Sequence, residues 1–202
     1  HEIGHHGYLH TQPKSPEDEA AILDRGSAVL ERMTGRKPIG FRSPGAGLSF
    51  NMVKLLQERG FAYDSSLMGD DFSPYYMRLG DNPAADGPFE FGKPVDVVEI
   101  PFTWGLDDFP AFEYVTSRWG IQQGLSSPSA VYEIWAGDFD YLHERVGEGI
   151  YTLTMHPQVI GRGHRMLMLE RLIDYIGTHR DVKFITMAEA ASEWRKEHPL
   201  PR

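Results

Sequence analysis

The sequence contains no cysteine in its 202 residues. A chain without thiols has no disulfide framework, no thiolate metal site and no cysteine nucleophile. Any metal ion that this protein binds must therefore be held by histidine, aspartate or glutamate side chains.

The chain also lacks a long apolar run and a cluster of basic residues. No segment approaches the ~20 apolar residues that a membrane helix needs. The 29 acidic residues outnumber the 20 basic ones, which gives a net charge of −9. Because nucleic acids and anionic membranes attract basic surfaces, we expect neither to be a partner of this protein.

The overall composition is that of an ordinary globular protein, with 41% hydrophobic and 24% charged residues. Its length is sufficient for one hydrophobic core, so we expect a single domain over residues 1–202. The chain begins at His1 without an initiator methionine, inside the motif HEIGHHGYLH. We therefore expect this domain to be incomplete at its N-terminal end.

Helix and strand signals alternate along the chain. Helices are predicted at 15–35, 49–60, 127–145, 165–178 and after 186, and each of them except 165–178 begins at a Ser or Thr cap. Strands are predicted at 39–42, 61–65, 97–102, 150–156 and 182–186, and residues 69–92 are predicted to form a long loop. This alternation is typical of βα units that build a parallel sheet, in a barrel or an open sheet.

Four chemically active side chains stand at or just after the ends of predicted strands: Arg42, Asp64, Trp104 and His156. In βα barrels the active site is built at the C-terminal ends of the strands. We therefore expect these side chains at a functional rim. Trp135, by contrast, lies with Val131, Ile134 and Leu142 on the apolar side of a predicted helix, and we expect these four residues in the core.

The first ten residues contain four of the nine histidines. His6 and His10 are four positions apart, so one helical turn would direct both imidazoles toward the same ion. The spacing also permits a second register with His1 and His5, and the alternative to both is a loop with scattered surface histidines. A catalytic zinc takes three protein ligands, so the third ligand is expected to be a carboxylate.

His156 ends the apolar segment 150–156, where it is either a general acid or a core histidine that bonds to the backbone. A neighbouring carboxylate would raise its pKa. Asp107 and Asp108 are both candidates, with a solvated turn as the alternative, and the sequence does not decide between them.

The sequence leaves two interpretations open for Arg42 and favours one for Trp104. The guanidinium of Arg42 is either a surface charge or a group that holds a catalytic carboxylate ionised and oriented. Trp104 is expected to form the wall of a pocket.

Taken in order, these motifs resemble those of the polysaccharide deacetylase family, carbohydrate esterase family 4. HGYLH at His6–His10 resembles the family's metal-binding motif, and the run Arg42-Ser43-Pro44-Gly45 resembles the motif whose Arg orients the catalytic Asp. The segment from Trp104 to Pro110 and the segment ending at His156 resemble the last two motifs. Leu9 departs from the family pattern, and the family's first motif, an Asp pair, is expected upstream of His1.

The resemblance implies a distorted (β/α)7-type barrel of the α/β class, here without its N-terminal strands. It also implies a divalent metal, with zinc expected, bound by His6 and His10, and a general acid at His156. Pro44, Gly45 and Trp104 would contact the substrate. Arg162 and Arg165 follow the acid, where they would either contact substrate or cap a helix.

Within that family, HEIGHHGYLH and the segment from Trp104 to Asp108 are more similar to the allantoinase-like and cyclic-imidase-like branch than to extracellular chitin or xylan deacetylases. This implies a cytoplasmic homo-oligomer that acts on a small-molecule or sugar amide. The function predicted is metal-dependent hydrolysis of a non-peptide C–N bond, by removal of an N-acetyl group or opening of a cyclic amide or imide. The alternatives are a non-catalytic module that binds a carbohydrate or a partner, and a metal-independent amidohydrolase.

Overall fold

A computed structural model of the chain describes residues 1–47, 49–82, 84, 86–118 and 120–200. Its contacts divide the chain into two compact units, His1–Pro101 with Ile185–Arg202, and Phe102–Phe184. The single domain that the sequence predicts over residues 1–202 stays a prediction.

Seven α-helices and six strands are present in the described residues. The helices are α1 (Pro16–Thr34), α2 (Phe50–Glu58), α3 (Asp108–Phe112), α4 (Pro128–Tyr141), α5 (Pro157–Ile160), α6 (Gly163–Gly177) and α7 (Met187–Glu197). The strands are β1 (Gly40–Phe41), β2 (Tyr63–Asp64), β3 (Tyr75–Leu79), β4 (Lys93–Glu99), β5 (Tyr114–Ser117) and β6 (Gly120–Gln123).

The first unit is built on a four-stranded sheet in the order β1-β2-β4-β3. β1, β2 and β4 run parallel, and β3 adds an antiparallel edge. His5 extends the parallel arrangement beyond β1, because its N–H donates to Gly40 O (2.8 Å) and its carbonyl accepts from Arg42 N (2.9 Å). The histidine-rich motif at residues 1–10 therefore lies directly beside the strand that leads into Arg42.

Helix ends in this unit follow the capping signals in the sequence. The Ser15 side chain caps α1 ahead of a proline in the first turn, and Gly35 ends that helix at φ 74°. Ser49 caps α2, and Thr186 with Glu189 forms a reciprocal capping box on α7. These predicted helix starts are confirmed, because each cap satisfies backbone N–H groups that the helix itself leaves unpaired.

The core of the first unit lies between the sheet and the helices α1 and α2. Its buried apolar side chains are Leu23, Phe41, Met52, Leu56, Phe61, Met77, Val95 and Val97. His5 is buried among them, with ring contacts to Phe41 and Phe61.

The second unit packs α4 and α6 around Trp135, which is fully buried. Trp135 also donates its indole N–H to Gly105 O (2.9 Å), so it belongs to the core as predicted. Val131 and Leu142 are buried as well, whereas Ile134 is 55% exposed and its predicted burial is wrong. β5 and β6 form a separate antiparallel hairpin.

Three predictions for the strands are corrected. β3 lies inside the segment 69–92 that the sequence predicts as a loop; it is a half-exposed edge strand, whose apolar pattern is weak. Residues 150–156 and 182–186 form no ladder in the part of the chain that is described. Of these residues only Thr154 is paired, through a parallel bridge to Asp107, and the neighbouring Tyr151 and Leu153 are partly buried against the core of the second unit. The α/β class is confirmed, while the closed barrel without its N-terminal strands stays a prediction.

No helix among the described residues has both the length and the apolar character that crossing a membrane would require.

Two helical glycines allow a matched test of packing in this fold. A methyl group on Gly26 in α1 would overlap the buried His5 ring, whereas a methyl group on Gly137 in α4 would meet open space. We expect Gly26→Ala to lower the free energy of unfolding by about 1–3 kcal/mol through overpacking. Gly137→Ala is expected to raise it by about 0.5–1 kcal/mol through helix propensity. Urea unfolding of both variants measures the difference, and equal effects would contradict the close packing of α1 against His5.

Candidate active site

The two histidines predicted to bind metal lie side by side in a loop of the first unit. Their ring centroids are 5.0 Å apart. The backbone reaches this arrangement through positive φ angles at Gly7 (77°) and His10 (49°), and not through the helical turn that the spacing predicts. The proximity of the two rings therefore agrees with the prediction, but its structural cause is different.

The ring of His6 is oriented by the motif that follows β1. His6 Nδ1 lies 2.7 Å from the carbonyl oxygen of Arg42. A carbonyl can only accept a hydrogen bond, so Nδ1 carries the proton and the neutral ring has its lone pair on Nε2. Metal-binding histidines are commonly oriented in this way by a carbonyl on the second ring nitrogen.

His5 has a different environment, which excludes the second register with His1. It is 1% exposed, its Nε2 donates to Leu23 O (3.2 Å), and its Nδ1 accepts from Gly7 N (3.1 Å). Both ring nitrogens are thus used inside the protein, and His5 cannot offer a lone pair to a metal. Burial lowers the pKa of His5 below its ordinary value of 6.5.

Arg42 is held by the segment that follows β2. Its Nε donates to Ser65 O (2.6 Å) and its Nη2 to Ser65 Oγ (2.5 Å). The guanidinium is therefore fixed in direction, as a group that orients a carboxylate has to be. Its role toward a catalytic carboxylate stays a prediction.

Pro44 and Gly45 begin a short 3₁₀ turn two residues after this arginine. Gly45 has φ 64°, a left-handed conformation that glycine adopts without strain. Gln12 donates to Pro44 O (2.8 Å), and a cavity of about 220 Å³ lies between the two motifs, with Gly7 and Pro44 in its lining. The contact of Pro44 and Gly45 with substrate stays a prediction.

A larger cavity of about 680 Å³ lies along the segment 69–92 that the sequence predicts as a loop. Tyr75, Arg78, Asp81 and Phe91 are among its lining residues. None of the site residues predicted from the sequence lines this cavity, within the described part of the chain.

In the second unit the structure decides between the two candidate carboxylates for His156. Asp108 Oδ1 lies 2.7 Å from His156 Nδ1, and Asp108 Oδ2 accepts from the His156 backbone N–H (2.9 Å). Asp107 Oδ1 instead accepts from Phe109 N (2.7 Å), which caps α3, and lies 3.9 Å from His156 Nδ1. Asp108 is thus the direct partner of the histidine.

The bridge between the two segments fixes this pair. Asp108 N donates to Thr154 O (3.1 Å), and Thr154 N donates to Leu106 O (2.9 Å). These bonds align the residue before α3 with the residues that lead to His156. Asp108 is 0% exposed, and the His156 side chain retains 31% of its exposure, so the carboxylate is shielded while the imidazole is accessible.

Asp107, Asp108 and His156 also offer three ligand atoms that lie within 4.8 Å of one another. The short Nδ1···Oδ1 distance, however, is that of a charge-assisted hydrogen bond, in which Nδ1 carries a proton. A nitrogen that binds a metal must instead present its lone pair. The geometry therefore favours a carboxylate–imidazole pair over a cation site.

The structure also shows the surroundings of the other side chains in this unit that the sequence predicts to contact substrate. Trp104 is 44% exposed and packs edge-on against Phe102, so its role as a pocket wall stays a prediction. Arg162 caps α6 through its backbone. Arg165 is buried and binds Glu113 Oε1 (2.9 Å) and Val159 O (2.7 Å), so the alternative that it contacts substrate is wrong.

Sequence reasoning expected Asp64 at a functional rim but missed its partner in the first unit, Glu99. Asp64 and Glu99 are both 0% exposed and are register partners on β2 and β4. The signal was a charged residue inside the apolar run VVEIPF, since a charge in a buried strand requires a partner. Burial and the neighbouring Asp64 raise the pKa of Glu99 well above its ordinary value of 4.5.

No family model matches the chain. A peptidoglycan deacetylase from Helicobacter pylori is 33% identical over 211 residues, which cover 98% of this chain and 72% of that protein. A solved Mycobacterium smegmatis protein, assigned to the polysaccharide deacetylases, is 33% identical with a TM-score of 0.83, over 100% of this chain and 65% of its own. The solved Puue allantoinase is 26% identical with a TM-score of 0.77, over 100% of this chain and 61% of its own. The chain thus spans about two thirds of the length of these solved relatives.

The environment of His5 predicts both its tautomer and the direction of its pKa. We expect NMR titration to show a neutral ring protonated on Nε2, with a pKa below 6.5. Because the unfolded chain binds this proton more readily, the contribution of His5 to stability is present above pH 6.5 and is lost as the pH falls below it. A pKa above 6.5, or a proton on Nδ1, would contradict the buried position of His5.

Proposed function

Because the chain belongs to the polysaccharide deacetylase family, carbohydrate esterase family 4, we propose that it is a metal-dependent hydrolase that removes an N-acetyl group from a sugar. This is a family of hydrolases that act on C–N bonds other than peptide bonds. The observation that carries the proposal is the hydrogen-bonded pair of Asp108 and His156, which provides a proton donor of the kind that amide hydrolysis requires.

The proton donor acts at the departing nitrogen. An amine is a poor leaving group unless it is protonated as the C–N bond breaks. The Asp108 carboxylate fixes His156 with Nδ1 toward itself, so Nε2 is the atom that delivers the proton.

His6 and His10 fit a divalent cation, since the two rings are adjacent and the carbonyl of Arg42 selects the tautomer of His6 with a lone pair on Nε2. Zinc is the metal that we expect. When bound, the cation would supply Lewis acidity toward the amide carbonyl. Arg42, fixed by Ser65, would orient the carboxylate that acts as the base.

A second candidate is the opening of a small cyclic amide. The similarity to the solved allantoinase over 100% of this chain favours it. The two candidates share the proton donor and differ in the substrate. A cytoplasmic location and assembly into a homo-oligomer remain part of the proposal.

The test is a panel of substrates with and without metal. We expect acetate release from tetra-N-acetylchitotetraose. Ammonia release from allantoin or hydantoin, or opening of their rings, would instead favour the second candidate. Dialysis against dipicolinate should lower turnover at least tenfold, and added zinc should restore it. Full turnover after removal of all metal would favour a metal-independent amidohydrolase. A protein that binds no metal and hydrolyses none of these probes would favour a non-catalytic module.

The metal ligands are tested separately from turnover. His6→Ala and His10→Ala should each reduce the zinc bound per chain, measured by elemental analysis after equilibrium dialysis. His164→Ala, at an exposed position on α6, is the matched control and should bind as much zinc as the unaltered protein.

The proton donor predicts a second set of variants. His156→Ala should lower kcat by roughly 10²-fold or more, because the leaving amine is no longer protonated, and bound zinc should be unchanged. Asp108→Asn should lower kcat at least tenfold. Asp107→Asn keeps the cap on α3 and should lower kcat by a smaller factor. Asp174→Asn, at an exposed position on α6, is the control. Undiminished kcat in His156→Ala would remove its assigned role.

A further inference from the structure

Two buried carboxyl groups lie next to each other in the sheet of the first unit. Asp64 on β2 and Glu99 on β4 are paired in a parallel register, so their side chains project from the same face. Both residues are 0% exposed. Two adjacent carboxylates without water would repel each other strongly, and such pairs retain a proton between them.

The donors around the pair are distributed unequally. Glu99 Oε1 accepts from the backbone N–H groups of Ser66 (2.9 Å) and Leu67 (2.8 Å). Asp64 accepts from the Ser66 hydroxyl (2.8 Å) and the Ser66 N–H (3.1 Å). Glu99 Oε2 is buried, and no N–H or O–H group of the described residues donates to it. An oxygen in this situation is satisfied if it carries a proton and donates it to the neighbouring carboxylate.

Residues 65–66 also hold the loop that contains Arg42. The Ser66 hydroxyl, which donates to Asp64, accepts from Ser43 N (2.8 Å). Ser65 receives the Arg42 guanidinium on its carbonyl and hydroxyl oxygens, and its hydroxyl donates to Ile100 O (2.7 Å). Ser66 therefore connects the buried carboxyl groups to the backbone of this loop by hydrogen bonds, and Ser65, which lies between Asp64 and Ser66 in the chain, holds the side chain of Arg42.

We propose that Glu99 keeps a proton, donates it to Asp64, and through this pair positions the Arg42 loop by way of Ser65 and Ser66. Glu99 and Asp64 are positioning residues, since neither contacts a reacting group. The catalytic meaning of this role depends on the proposed function, because it depends on Arg42 being part of the active site. The proton itself and the anchoring of the loop do not depend on it.

The charged and titratable groups that face Glu99 come from three elements. Asp64 is adjacent on β2, and Tyr75 is its register partner on β3. Arg42 lies beyond Asp64 in the loop after β1 and favours the Asp64 carboxylate. Loss of the Glu99 proton would place a second negative charge beside Asp64, with Arg42 as the nearby cation.

The first experiment measures the proton through stability. Glu99→Gln keeps a neutral side chain that can donate to Asp64, but it has no proton to lose. A carboxyl whose pKa is raised on folding stabilises fully below about pH 4.5 and loses this contribution as the pH rises. The Tm of Glu99→Gln relative to that of the unaltered protein should therefore increase by about 3–5 °C per pH unit from pH 5 upward.

Glu31→Gln, at an exposed position on α1, is the matched control and should show no such trend. Parallel Tm curves for Glu99→Gln and the unaltered protein would show that Glu99 is ionised in the folded protein, and this would overturn the proposal.

The second experiment measures the anchoring of the loop. Hydrogen exchange of the Ser43 amide, followed by NMR, should be at least tenfold faster in Glu99→Ala, and Glu99→Gln should restore slow exchange. Ser66→Ala removes the acceptor of this amide and gives the largest acceleration that the lost bond can cause. If Ser66→Ala accelerates exchange but Glu99→Ala does not, the carboxyl pair does not anchor the loop. If Glu99→Ala fails to fold, exchange of the Ser43 amide is measured in Asp64→Asn instead, and that result decides whether the carboxyl pair anchors the loop.

Turnover separates this inference from the proposed function. On whichever probe of the panel is hydrolysed, Glu99→Ala should lower kcat at least tenfold with KM changed less than threefold, and Glu99→Gln should restore kcat to within threefold. If the unaltered protein hydrolyses none of the probes, the proposed function fails, while the Tm and exchange measurements still decide this inference. Restored exchange without restored kcat would overturn the link to Arg42.

Discussion

The backbone pairing between His5 and the end of β1 is the constraint on which the first unit's candidate site depends. Two hydrogen bonds, from His5 N to Gly40 O and from Arg42 N to His5 O, set the histidine-rich segment beside the strand. The next residue, His6, is thereby brought within hydrogen-bond distance of the Arg42 carbonyl. The burial of the His5 side chain holds this segment in place, since withdrawing it would expose a ring that fills the core.

Both units place buried acidic groups at the ends of extended segments and satisfy them locally. Asp108 takes the imidazole and the backbone N–H of His156, and Glu99 takes two backbone N–H groups beyond β2. A buried carboxyl without such partners would be costly. The partners thus determine what each group does: Asp108 orients the imidazole of His156, whereas Glu99 faces a second carboxyl group.

The similarity to peptidoglycan deacetylases and to allantoinase places these local arrangements in a family of amide hydrolases. Three of the residues that resemble the family motifs are held in place by hydrogen bonds. Arg42 is fixed through Ser65, His6 through a carbonyl, and His156 through Asp108. Such fixed orientations are what a site needs when it stabilises a transition state and does not merely bind a ligand.

Helix starts and the buried position of Trp135 could be predicted from the sequence alone, because caps and apolar repeats act over a few residues. The order of the motifs also sufficed to identify the family. What only the tertiary structure decided was which neighbours meet: Asp108 and not Asp107 at His156, His5 in the core and not at a metal, and Glu99 beside Asp64. These outcomes depend on contacts between distant segments and, for Asp64 and Glu99, on strand register, since a one-residue change of register would direct a strand side chain to the opposite face.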